Sequence, residues 1–155
     1  MVVTHSVVIN RPVEDVFAAA TSLPLSVVWR SAVACSVQTS DGPVGVGTTF
    51  DQEVRVIGMS RTNTAVITEY NPPRCFAYEH VRGLTNYFAR FSFEPDGAGT
   101  RFTITAEGES LPAWLKLMRE SLMVRWAQNT VAQEMETLKE LLESGVNLET
   151  ALATS

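Results

Sequence analysis

Cysteine and histidine are scarce in this chain of 155 residues, with two of each. The histidines are His5 and His80 and the cysteines Cys35 and Cys75, so no spacing among them suits a metal site, and none is expected. Both cysteines stand in apolar, strand-like runs, where reduced and buried thiols are expected. Basic residues form no block: arginines such as Arg30, Arg55, Arg61, Arg82, Arg90 and Arg101 are scattered, and the net charge is −5. Phosphate binding needs clustered cations, so nucleic acid is not an expected partner. No run approaches the roughly 20 apolar residues of a membrane span, which argues against stable membrane insertion. The opening "MVVTHSVVIN" has neither a basic start nor a long apolar core, unlike a secretory signal, and a cytoplasmic protein is the expectation. There is no G-x-S-x-G, and the glycine-rich "GPVGVG" leads into strand-like sequence and not a helix. No cofactor is expected.

Apolar residues make up 45% of the chain and charged residues 19%, the balance of a globular domain. The length suits one domain spanning 1–155, able to bury roughly 70% of its unfolded surface without a staple. Val3, His5, Val7 and Ile9 share one parity in the first run, the period of a half-buried strand. "RPVEDVFAAA" starts a helix, with Pro12 at its first position and Glu14 and Asp15 in its first turn. "SLPLSVVWR" starts a second, short one, with Ser22 as the expected cap and Trp29 near its end.

Strands follow. Phe50, Gln52, Val54 and Val56 share a face; so do Phe76, Tyr78 and His80; so do Tyr87, Ala89, Phe91 and Phe93. Between two of these runs Asn71-Pro72-Pro73 punctuates the chain, because proline has no N–H to give a ladder and biases its predecessor to extended geometry. Pro95-Asp96-Gly97 turns a long hairpin. From Leu111 to about Glu143 the period becomes helical, with no Gly or Pro between Ala113 and Ser144. The apolar stripe runs Leu111, Leu115, Met118, Leu122, Trp126 in the first half. In the second it runs Val124, Ala127, Val131, Met135, Leu138, Leu142, nearly opposite the first. One helix would therefore change its apolar face midway. Residues 145–155 are expected to fray.

The order "INRPVEDVFA", Trp29, "GVGTTF", "ITEYNPPRCFAYE", "FEPDGAGTRFTI" and "LKELLES" resembles the START-like (Bet v 1-like, helix-grip) superfamily, and within it the polyketide cyclase/dehydrase-like group, over residues 2 to about 143. The resemblance implies an α+β helix-grip fold: a curved antiparallel sheet of about seven strands around a long C-terminal helix, with two short helices after strand one. It also implies a cavity for an apolar small molecule. The superfamily includes cyclases, lipid and quinone carriers, receptors and co-chaperones and has no shared catalytic signature, so no catalytic residue carries over.

A cavity is also expected on physical grounds. A bent sheet cannot touch a straight helix along its whole length, and the remaining space must hold side chains, water or a ligand. Trp29, Gln52, Tyr78, His80, Tyr87, Phe91, Met118, Leu122 and Trp126 are the candidate ligand contacts. His80, on the inward parity, is the candidate acid/base if the protein catalyses. Three readings stand. The first is a non-catalytic carrier or sensor of an aromatic, polyketide-like or lipid-like molecule. The second is a polyketide cyclase or dehydratase using His80. The third is a chaperone-accessory or interaction module using the apolar helix surface. Independently of these readings, the first part of the helix is expected either to close the cavity mouth or to present an apolar patch to a partner subunit, as in a homodimer.

Overall fold

The computed structural model describes residues 1–56, 58–83, 86–108 and 120–154. The chain runs β1 (Val2–Ile9), α1 (Val13–Thr21), α2 (Ser26–Trp29), β2 (Val33–Gln38), β3 (Thr49–Val56), β4 (Met59–Asn71), β5 (Cys75–Arg82), β6 (Tyr87–Asp96), β7 (Gly99–Gly108), α3 (Glu120–Ser144) and α4 (Leu148–Thr154). The strands form one antiparallel sheet in the order β1-β7-β6-β5-β4-β3-β2. It is curled into a half-barrel around α3, the expected helix-grip arrangement. Register shifts in β4 at Thr64/Ala65 and Ile67/Glu69 bend the sheet's middle, as bulges do.

Most strands bury one parity, whereas β5 buries four residues in a row, Cys75 to Tyr78. Ile9, Phe50, Ile67, Phe91, Phe93, Phe102 and Ile104 are almost wholly enclosed. Phe93 stacks on Phe102 at 4.9 Å, and Phe17 of α1 meets Phe93 edge-on at 5.1 Å. Charged residues of the opposite parity pair on the outer face, as in the Arg90–Glu69 ion pair at 3.0 Å, which spans β5. The proline pair sits between β4 and β5, as its chemistry requires.

The second of the two stripes is the one that faces the sheet. Met135, Leu138 and Leu142 are buried, and Val131 packs against the core. Leu122 is 52% exposed and Trp126 is 40% exposed. Helix α3 runs unbroken from Glu120 to Ser144. Leu111, Trp114, Leu115 and Met118 lie outside the described residues.

Three expectations are corrected. The tail is not frayed: residues 148–154 form α4, capped by the Asn147 side chain, whose Oδ1 accepts the N–H groups of Glu149 and Thr150, and pinned by buried Leu148. Cys35 is exposed, because a register shift between Val33 and Cys35 changes the parity of β2. Ser22 closes α1 instead of capping α2, whose flanking residue is Leu25.

The end of β1 and the start of β7 approach very closely. A Cβ on Gly99 would lie 2.5 Å from the Ile9 carbonyl oxygen. Gly99→Ala should therefore lower stability by about 1–3 kcal/mol in urea unfolding. An unchanged midpoint would show that β1 and β7 can separate freely at this corner.

Candidate functional site

The inward parity of β3, β5 and β6, the N-terminal half of α3 and the segment after α2 enclose a chamber of about 170 Å³. It lies between the sheet and the N-terminal part of α3. The C-terminal half of the helix packs into the core through Met135 and Leu138, whereas Trp126, Ala127, Thr130 and Val131 face the chamber. Val3, Val33, Val54 and Ala106 supply apolar wall from the strands. Gln52, Asn63, His80 and Tyr87 add polar groups to the sheet side. Met1, His80, Tyr87 and Gly108 also border an outer hollow of about 470 Å³, so chamber and hollow share a threshold.

Arg30 and Glu134 form the chamber's charged corner. Arg30 Nε donates to Glu134 Oε2 at 3.4 Å, with the two side chains only 11% and 2% exposed. Glu134 Oε1 also accepts the Ala32 N–H at 2.9 Å and the Ser31 hydroxyl at 3.3 Å. Arg30 Nη1 donates to the Tyr78 hydroxyl at 3.0 Å. The guanidinium lies 5.6 Å from the centre of the Trp29 ring and 5.9 Å from that of Phe91. Burial opposes its charge, but Tyr78, Glu134 and Tyr87 outweigh burial and hold the guanidinium protonated. Burial foremost, and then Tyr78, push the Tyr87 phenol above its usual range, so it stays a neutral hydroxyl.

His80 is the unusual group. Its ring lies 5.0 Å from that of Tyr87 and 6.1 Å from that of Tyr78, centre to centre. Both ring nitrogens are buried and neither has a hydrogen-bond partner. Burial, followed by the charge of Arg30, lowers its pKa to about 4. The imidazole is thus neutral at pH 7, with one N–H and one lone pair unused.

Of the sequence candidates, Gln52, His80, Tyr87 and Trp126 come together around the chamber. Trp29, Tyr78 and Phe91 do not line it. Trp29 meets Phe91 and Phe102 edge-on in the packed core, and Tyr78 and Phe91 border only a crevice of about 20 Å³ beneath the α1–α2 connection. Tyr78 still acts on the chamber through Arg30. Leu122 faces solvent and borders no part of the chamber, while Met118 lies outside the described residues. Sequence reasoning missed Arg30, Asn63 and Glu134. A signal for Glu134 existed: it stands three residues after Val131 and four before Leu138, a carboxylate on the buried stripe. Among the described residues no group of three or more metal-ligating side chains comes together. No helix among them is long and apolar enough to cross a membrane.

A family model described as "Polyketide cyclase / dehydrase and lipid transport" matches residues 1–143. The chain belongs to this family. No curated protein gives a significant sequence match. Among solved structures, TTHA0849 from Thermus thermophilus superposes with a TM-score of 0.80 at 20% identity, covering 95% of this chain and 100% of that one. A START superfamily protein from Mycobacterium smegmatis gives 0.70 at 15% identity, covering 94% and 96%. The di-domain ARO/CYC StfQ from the steffimycin biosynthetic pathway gives 0.73 at 16% identity over 93% of this chain, which corresponds to 51% of StfQ. At these identities the likeness establishes the fold. The family's description covers both catalysis and transport.

The depressed pKa of His80 links the chamber to stability. An unfolded histidine takes up its proton near pH 6.5, whereas the folded ring resists until about 4. Its contribution is therefore intact above pH 6.5 and lost progressively as pH falls toward 4, by at most about 3 kcal/mol. Urea unfolding at pH 7 and pH 4.5 should show a larger acid loss for the wild type than for His80→Phe. Equal losses would place the ring in contact with water.

Proposed function

We propose that the protein binds a small molecule with an apolar, ring-like body and one hydrogen-bonding group, and releases it unchanged. The observation that carries this reading is the pair of buried, unpartnered ring nitrogens of His80 on the chamber wall. Buried polar groups without partners are uncommon and costly, by about 1–3 kcal/mol each. A ligand hydroxyl or carbonyl placed against His80 regains that energy, and Gln52 and Tyr87 stand on the same side of the chamber. The opposite wall, with Trp126, Ala127 and Val131, suits the face of an aromatic or aliphatic ring.

Size narrows the ligand. An engineered apolar cavity of about 150 Å³ accepts benzene. The chamber, at about 170 Å³, accepts one ring, and the remainder of a larger molecule would lie across the threshold in the outer hollow. That division suits an aromatic, polyketide-like or lipid-like molecule held by one end, in keeping with the family's description.

A second reading is a cyclase or dehydratase with His80 as acid/base. Its support is the protonated Arg30, with the Tyr78 and Tyr87 hydroxyls, beside His80; such a group can stabilise an enolate. Against it stands the pKa of about 4, which makes His80 a weak base at neutral pH and leaves almost no imidazolium to act as acid. Binding without turnover is the better-supported reading.

Calorimetric titration with 2-naphthol tests it. Saturable binding of one molecule per chain is expected, weakened roughly tenfold in His80→Phe, about 1.4 kcal/mol. Mass spectrometry should recover the ligand unaltered. No saturable binding, or equal affinity in His80→Phe, would contradict the proposal.

A further inference from the structure

The chamber holds an arginine, yet among its described lining residues no side-chain cation is left unpaired. Arg30 is already matched by Glu134, and its donors also serve Tyr78. Glu134 is not free to yield its place. The Ala32 N–H and the Ser31 hydroxyl fix the same carboxylate, which is 2% exposed in its side chain. His80 is neutral, as are Gln52, Asn63 and Tyr87. A ligand carboxylate would therefore enter a low-dielectric space beside an existing carboxylate, with no unpaired positive side chain among the described lining residues. The outer hollow repeats the pattern. Its described lining includes the carboxylates Glu79 and Glu107, while its amino group, that of Met1, is solvent-exposed and bonded to the Gly108 carbonyl at 3.0 Å.

We propose that Glu134 is a specificity-determining residue: by occupying Arg30 it restricts the chamber to uncharged ligands and rejects carboxylates of the same shape. The buried pair is thus a device for charge selection as well as a structural link. Without Glu134 the same arginine would become an anion-binding group facing the chamber, and the preference would reverse. Ketones, phenols, amides and esters are the accepted classes. Free fatty acids and aromatic acids are excluded in their ionised forms.

This inference rests on the chamber being the binding site, and an isosteric pair separates the two claims. 2-Naphthamide and 2-naphthoate differ at pH 7 in charge and scarcely in shape. Calorimetry on the wild-type protein should give at least tenfold tighter binding for the amide, and this arm needs no variant to fold. In Glu134→Gln, which keeps the side-chain shape, the amide-to-acid ratio should shift at least tenfold toward 2-naphthoate, with the fold checked by circular dichroism. Wild-type binding of 2-naphthoate equal to or tighter than that of the amide overturns charge selection while leaving the chamber as a binding site. An unchanged ratio in folded Glu134→Gln removes Glu134 from that role. Binding of neither compound to the wild type overturns both claims.

Discussion

The site depends on one buried ion pair. Arg30 ends α2 and Glu134 lies midway along α3, 104 residues later, and together they tie the segment before β2 to the helix that the sheet grips. Removing two charges from water costs several kcal/mol for each ion, and their attraction offsets this only with further hydrogen bonds. Those bonds are present: Ala32 N–H and Ser31 hydroxyl to the carboxylate, and the guanidinium to the Tyr78 hydroxyl. On one side of the pair, Met135, Leu138 and Leu142 fill the space between helix and sheet. On the other, the chamber opens between helix and sheet. The pair marks the boundary between packed core and hollow.

That boundary gives the site its chemical character. A chamber lined only by hydrocarbon would select ligands by shape. Here the corner holds a compensated charge, and the sheet side holds a neutral imidazole with unused hydrogen-bonding capacity. Shape is set by Trp126, Ala127 and Val131, and polarity by His80, Tyr87 and Gln52, on different elements of the fold. Change along α3 can therefore alter the chamber's size without disturbing the polar wall. This separation is one physical reason why a single fold can serve both binding and catalysis across a family.

Much of the fold was legible in the sequence because it rests on local periodicity. Alternation placed Phe50, Phe76, Phe91 and Phe102 inward, and they are inward. On α3 the second apolar stripe was readable too: Met135, Leu138 and Leu142 are buried, while Leu122 of the first stripe is exposed. Parity failed at Cys35, where an irregular register in β2 breaks the period of two. The tail was misread because the capping by Asn147 and the buried anchor Leu148 are weak signals against a polar, short segment. At the site, parity found His80, Tyr87 and Gln52 but could not separate lining from filling. Phe91 and Tyr78 share the inward face with them, yet lie under the α1–α2 connection. Arg30 and Glu134 could not be paired by pattern at all, since nothing local connects residues so distant in the chain.

The account is tested most directly by a double-mutant cycle on this pair, with Arg30→Met, Glu134→Leu and the combined variant unfolded in urea. Either single change leaves a buried charge without its partner and should cost about 3–5 kcal/mol. The double variant should recover most of that loss, a coupling of at least about 2 kcal/mol. Additive losses, or single changes each costing less than about 1 kcal/mol as exposed pairs do, would contradict a buried clamp at the edge of the chamber.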